Sequence, residues 1–168
     1  MSAALRILGV DPGLNRCGWG IVMTEGSRLS HVAHGVIAPD PKQSLAARLA
    51  AVCAGLEAVI AQHAPDEAAV EETFVNANPR AALALGQARG AAMVAVARCG
   101  LDPGEYPPAT IKKAVVGTGQ ADKAQIAFMV RRLLPACGDA SADAADALAV
   151  AICHAAHAGM RKRTGGGA

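Results

Sequence analysis

Leu5–Gly13, LRILGVDPG, is the stretch whose reading decides the fold. Leu5, Ile7, Leu8 and Val10 form a nearly continuous run of bulky apolar residues, the pattern of a central strand covered on both faces. The run stops at a carboxylate, Asp11, followed at once by Pro12 and Gly13. Proline biases the residue before it towards extended backbone and glycine allows the chain to bend, so Asp11 is expected at the mouth of a buried strand, on a stiff support. A second segment has the same form: Glu67–Glu72, EAAVEE, is a short apolar run that ends in two carboxylates.

Working outward, Gly18–Met23 and Leu29–Ile37 read as two further strands joined by the short connection Glu25-Gly26-Ser27, which with the first strand makes an antiparallel meander. Pro39 and Pro41 break the chain. Ser44 then caps a helix whose apolar positions Leu45, Leu49, Val52, Leu56, Val59 and Ile60 fall at helical spacing. An Ala-rich helix is expected from about Arg80 to Cys99, with Gly86 and Gly90 allowing close approach of another backbone. A short strand is expected near Gly104–Pro108, and a helical turn over Thr110–Val116. A helix with Ile126, Met129, Val130, Leu133 and Leu134 on its apolar face ends at Pro135, and a last helix is capped by Ser141. The fold class is therefore α/β: a mixed five-stranded sheet with three antiparallel strands first, flanked by helices.

The 168 residues suffice for one domain with its own core. Aromatics make up only 2% against 52% hydrophobic residues, so the core is packed by Ala, Val, Leu and Ile, and each aromatic calls for a reason. Five scattered cysteines without a CxxC pair argue against a zinc site or a disulfide framework and suit a reducing, cytoplasmic setting. Apolar stretches are interrupted by Glu57, Gln62 and Arg89, and no membrane association is expected. Residues 1–158 are read as the domain and residues 159–168, which include Arg161-Lys162-Arg163 and GGGA, as a basic, glycine-rich disordered tail. Net charge is only +2, but residues 76–135 carry eight basic and three acidic side chains, while residues 1–75 carry five and eight. A basic middle is compatible with nucleic acid and also with ordinary solvated helices.

Four carboxylates carry the chemistry: Asp11 and Glu71 at two strand ends, Asp143 and Asp146 in the first turn of the last helix. Residues three apart share a helix face, so Asp143 and Asp146 lie together while Leu148 and Ile152 turn to the core. A helix N-terminus offsets only about 0.3–1 kcal/mol of repulsion per carboxylate, and a cation compensates more fully. Oxygen-only ligands suit magnesium. If the Asp11 and Glu71 strands are neighbours, the site is one for two-metal hydrolysis of a phosphodiester, with ions about 3.5–4 Å apart. A phosphate-binding ATPase of the actin and sugar-kinase type shares the strand layout and an Asp-x-Gly turn, but needs two such domains and a second phosphate turn.

Five ordered motifs, LGVDPG, VEETF, LGQARG, IKKAVVGTG and ADAADALAVAI, together resemble the bacterial RuvC family of Holliday-junction resolvases over roughly residues 5–155. The resemblance implies an RNase H-like fold, a homodimer, and paired symmetric nicks across a four-way DNA junction in recombination and repair. It also implies two Mg2+ ions per site, with Mn2+ as a substitute, and a branch-migration motor as partner. Asp11, Glu71, Asp143 and Asp146 fall on the family's metal-binding acids, and Glu72 is a neighbour of the site. Lys112 and Lys123 fall on lysines associated with DNA and the active site, Lys123 with the chemical step. Phe74 falls on an aromatic beside the catalytic glutamate and is expected to wedge into or stack on junction bases. Lys113, Asn78 and Arg80 complete the expected DNA contacts. Ala77 stands where a relative has lysine, which puts a local phosphate contact in doubt.

Overall fold

A computed structural model describes residues 3–72 and 78–164. Five strands, β1 (Leu5–Asp11), β2 (Cys17–Glu25), β3 (Arg28–Ile37), β4 (Glu67–Glu71) and β5 (Gly104–Tyr106), form one sheet in the order β3-β2-β1-β4-β5. The β1–β2 and β2–β3 pairs are antiparallel; β1–β4 and β4–β5 are parallel. Helices α1 (Leu45–His63) and α2 (Pro79–Arg98) cover one face, and α3 (Pro108–Val116), α4 (Lys123–Leu133) and α5 (Ala142–Thr164) pack as the other layer. The expected meander and mixed sheet are both present.

Side chains alternate across a strand, and that parity fixes which face receives each residue. Leu8 and Val10 of β1 join Val52, Leu56 and Val96 in the core under α1 and α2. Ile7 joins Leu148, Ala151 and Ile152 of α5 on the opposite side. Gly9 also faces α5, where a Cβ would stand 2.1 Å from the carbonyl oxygen of Ala147 and 2.6 Å from the amide nitrogen of Ala151. Gly18 of β2, paired with Asp11, would meet the carbonyl oxygen of Asp143 at 2.1 Å. Two glycines thus let the backbone of α5 lie directly on β1 and β2, and this close seating sets the position of its first turn.

The last helix is fixed at both ends of its packed length. Ser141 caps it, its Oγ accepting from the Ala144 amide at 3.3 Å and its carbonyl from the Ala145 amide at 2.8 Å. Eight residues beyond Asp146, buried His154 shares a hydrogen bond of 2.8 Å with Glu67 of β4 and one of 2.9 Å with the Tyr106 hydroxyl of β5. This places one of the rare aromatics: Tyr106 is buried as a polar anchor. Trp19 is placed by packing, its ring lying over Gly35, where a Cβ would come within 2.7 Å. The remaining aromatic among the described residues, Phe128, is 61% exposed on α4.

One expectation needs correction, and two helices call for comment. Gly86 and Gly90 have open space where a Cβ would stand, so among the described residues no backbone approaches them. The helix beginning at Ala142 runs on through Gly159 to Thr164, because Met, Arg and Lys are good helix formers and extend a segment already anchored by its buried face. Residues 165–168 of the expected tail lie outside the described residues. Finally, α1 is long and apolar enough by composition to cross a membrane, yet Val52, Leu56, Val59 and Ile60 are buried against the sheet.

The glycine seat makes a sharp demand. Gly9→Val should destabilise the protein by about 1–3 kcal/mol or more, since the clash is with backbone that has no room to rotate away. At about 2–4 °C per kcal/mol for a chain of this size, thermal melting reads the loss directly; an unchanged melting temperature would mean that α5 is not seated as described.

Candidate active site

The sheet topology brings two of the four acids together. Val10 and Val70 are Cα partners in the parallel β1–β4 pair, so the next residues, Asp11 and Glu71, leave the same edge of the sheet side by side. Both continue the parity of Ile7 and Ala69, facing α5. There the first turn of α5 contributes Asp143 and Asp146, with side chains 32% and 27% exposed. All four predicted acids therefore meet at one end of the molecule.

Burial and neighbouring charge raise the protonation of two of them. Burial, reinforced by the charge of Glu71, a hydrogen bond to Glu71, and the charges of Asp146 and Asp143, pushes the Asp11 carboxyl up to about 9. Near neutral pH the metal-free Asp11–Glu71 pair thus holds a proton. Burial also raises Asp146 to about 6; Lys123 opposes the rise, Glu71 and Asp143 add to it, and Lys112 opposes it more weakly.

Cations stand against the other oxygens. Lys123, the first residue of α4, lies with Nζ 3.9 Å from Asp146 Oδ2. A capping box between Asp122 and Gln125 fixes the start of that helix. Lys112 of α3 lines the same cleft of about 190 Å³, with Glu71, Pro108, Ile111, Lys123, Ile126, Asp146 and Ala149. Arg16, in the turn after β1, donates from Nε to Asp143 Oδ2 at 2.7 Å. Arg89 of α2 donates from Nε to the Glu71 carbonyl at 3.3 Å and pairs through Nη2 with Glu105 of β5, holding the end of β4 from beneath.

The other predicted residues are placed differently. Lys113 is one position, about 100° of helix rotation, from Lys112 and lines a separate groove with Thr110, Ala156, His157 and Met160. Asn78 is the N-cap of α2, its Oδ1 accepting from the amides of Arg80 and Ala81 at 3.1 and 3.2 Å. Arg80 is exposed in that first turn. Phe74 lies outside the described residues, as does Ala77. Sequence reading missed Arg16 and Arg89. Arg89 sits inside the LGQARG motif, but nothing local marks it as the support of a strand 18 residues earlier.

Four crowded oxygen donors, two of them with raised protonation and two with cations already against them, form a donor set for hard divalent cations. Among the described residues no three His, Cys, Asp or Glu side chains already converge as a metal cage. The acids are instead engaged with each other, with Arg16 and with Lys123.

The family model for crossover junction endodeoxyribonuclease RuvC matches residues 7–154. The chain belongs to the RuvC family. A RuvC family member from Caulobacter sp. (strain K31) is 62% identical over 151 residues, covering 90% of this chain and 89% of the relative. Another, from Paramagnetospirillum magneticum, is 57% identical over 159 residues, with 95% and 96% covered. The solved structure of T. thermophilus RuvC in complex with Holliday junction substrate matches at 32% identity with a TM-score of 0.84, covering 94% of this chain and 96% of that one. The yeast mitochondrial Holliday junction resolvase Ydc2, at 14% identity and a TM-score of 0.65, shares the fold alone. The RuvC family's RNase H-like fold and its standing as a family of endodeoxyribonucleases agree with the carboxylate cluster reached from the residues.

The raised Asp11 predicts a signed pH effect. A carboxyl whose folded value lies at about 9 instead of its ordinary 3.8 favours folding while protonated, and that advantage is lost as pH rises from about 4 to about 9. Asp11→Asn keeps a donor towards Glu71 and removes the titration. In chelator at pH 8 the variant should melt higher than wild type, by about 2–4 °C for each kcal/mol relieved, and the gap should close near pH 4. A variant less stable than wild type at pH 8 would contradict the assignment.

Proposed function

We propose that this chain resolves four-way DNA junctions by paired symmetric nicks, using Asp11, Glu71, Asp143 and Asp146 to hold two Mg2+ ions, with Mn2+ as a substitute. The observation that supports it is the meeting of these four acids at one end of the sheet, faced by Lys112 and Lys123 across an open cleft. Divalent cations bound there supply an activated water and neutralise charge on the leaving oxygen of a phosphodiester. The chain's own contribution is positional. β1 and β4 hold Asp11 and Glu71 on rigid backbone, and α5 delivers Asp143 and Asp146 from a helix seated on glycine. Lys112 and Lys123 place positive charge where a phosphodiester backbone enters the cleft, Lys123 next to a reacting group through its contact with Asp146.

Beyond the cleft, exposed Arg80 and the groove-lining Lys113 extend the DNA contact, while Asn78 caps α2 and so presents Arg80. Phe74, between the Glu71-Glu72 pair and α2, is proposed as the aromatic that engages unstacked junction bases. The reading includes a cytoplasmic location and a branch-migration motor as partner in recombination and repair.

Two cuts related by symmetry require two sites, which a homodimer provides. Leu83 and Val94 of α2 are 64% and 53% exposed and fall on one stripe with Gly86 and Gly90, whose Cβ positions open onto free space. A stripe of small and apolar residues left uncovered by its own chain suits a second copy. Leu83→Glu should shift the protein to monomer in sedimentation equilibrium while leaving its circular dichroism unchanged; an unaltered dimer would place the interface elsewhere.

The chemistry is tested by Asp146→Asn. This variant should lose nicking of a synthetic four-way junction by about a hundredfold or more while keeping its gel shift, because a ligand charge is removed and the basic surface is not. Near wild-type nicking would remove Asp146 from the machinery.

A further inference from the structure

Arg16 is the cation held most closely against the acid cluster, and it was not singled out by motif. Its Nε lies 2.7 Å from Asp143 Oδ2, against 3.9 Å for the Lys123–Asp146 pair. The turn that carries it is built to keep it there. Gly13 admits the Arg16 carbonyl into the space a Cβ would occupy, at 2.3 Å. Arg48 of α1 clamps the same turn, donating from Nη2 to the Leu14 carbonyl at 3.4 Å and to Asn15 Oδ1 at 2.5 Å. Gly18 seats the Asp143 backbone against β2 two residues further on. The guanidinium and the carboxylate are thus brought together from opposite ends of the chain by two independently fixed backbones.

We infer that Arg16 is a positioning residue that acts through Asp143: it occupies a carboxylate oxygen of the cation site and yields it when a divalent ion binds, so that it sets the ion concentration at which the site fills. This rests on the reading of the four acids as cation ligands. The sign follows from charge. A metal-ligating carboxylate can take a neutral hydrogen-bond donor, which leaves its full charge facing the cation. A guanidinium does the opposite, since it draws on the same lone pairs and adds a positive charge beside an incoming cation. With the Arg16 side chain 53% exposed, solvent weakens this opposition without cancelling it.

Titration calorimetry of Mn2+ into the DNA-free protein tests the inference without reference to cleavage. Arg16→Ala should bind Mn2+ about tenfold more tightly than wild type, and the gain should shrink as ionic strength rises. Arg16→Lys, which restores the charge, should return towards wild-type affinity. In an Asp143→Asn background Arg16→Ala should add nothing, since the partner is already neutral. If Arg16→Ala disturbs the turn, Arg16→Gln keeps a hydrogen-bond donor without the charge and carries the same expectation. Unchanged affinity in a variant of wild-type melting temperature would overturn the inference, and so would a loss of about 10- to 100-fold, the signature of a residue that merely orients its ligand. A wild-type protein that takes up no Mn2+ would instead bring down the cation-site reading itself, and the inference with it.

Discussion

The constraint on which the site depends is that four carboxylates are held together, partly buried, against their mutual repulsion. Two unit charges about 4 Å apart near a protein surface repel by about 4 kcal/mol, well above the 0.3–1 kcal/mol that a helix N-terminus returns to each acid. Three features of the structure offset that repulsion: a proton held by Asp11 beside Glu71, the Arg16 guanidinium on Asp143, and the Lys123 ammonium near Asp146. On the proposed function, each compensation is one that a divalent cation replaces. A cluster this unfavourable is maintained because every acid is carried on backbone fixed for other reasons, the apolar strands β1 and β4 and the seated helix α5.

The seating of α5 links the core to the chemistry. Its apolar face, with Leu148, Ala151 and Ile152, fills the space beside Ile7, and its polar first turn overhangs the sheet edge where β1 and β4 end. Burial of one helix therefore supplies both stability and half of the acids. The Glu67–His154–Tyr106 hydrogen bonds fix the far end of the same helix to β4 and β5, and Arg89 ties the end of β4 to β5 from the opposite layer. The acid cluster is supported from both faces of the sheet.

Much of this was legible in the sequence because it is written in short-range patterns. The near-continuous apolar run before Asp11 announced a central strand, the form of EAAVEE announced its partner, and Ser44 and Ser141 marked helix starts that the structure retains. The three-residue spacing of Asp143 and Asp146 put both on one face. What stayed hidden depends on pairs distant along the chain. Arg16 and Asp143 are 127 residues apart, and no local feature of either points to the other. Lys112 and Lys113 look equivalent in sequence, yet one step of helix sends them to different grooves. Gly86 and Gly90 suggested close approach of another backbone, yet nothing meets them among the described residues, because four-residue spacing of glycine shows a bare stripe and not what covers it. The glycines that do receive a backbone, Gly9 and Gly18, lie in strands, where their absence of side chains is unremarkable until α5 is in place.

The central claim of the proposed function is that these four acids form a site for divalent cations. Anomalous diffraction from crystals soaked in Mn2+ and cleavable junction DNA tests it most directly. The account predicts two manganese peaks enclosed by Asp11, Glu71, Asp143 and Asp146, with Arg16 withdrawn from the Asp143 oxygen. Manganese bound elsewhere, or no peak among these acids at saturating Mn2+, would contradict it.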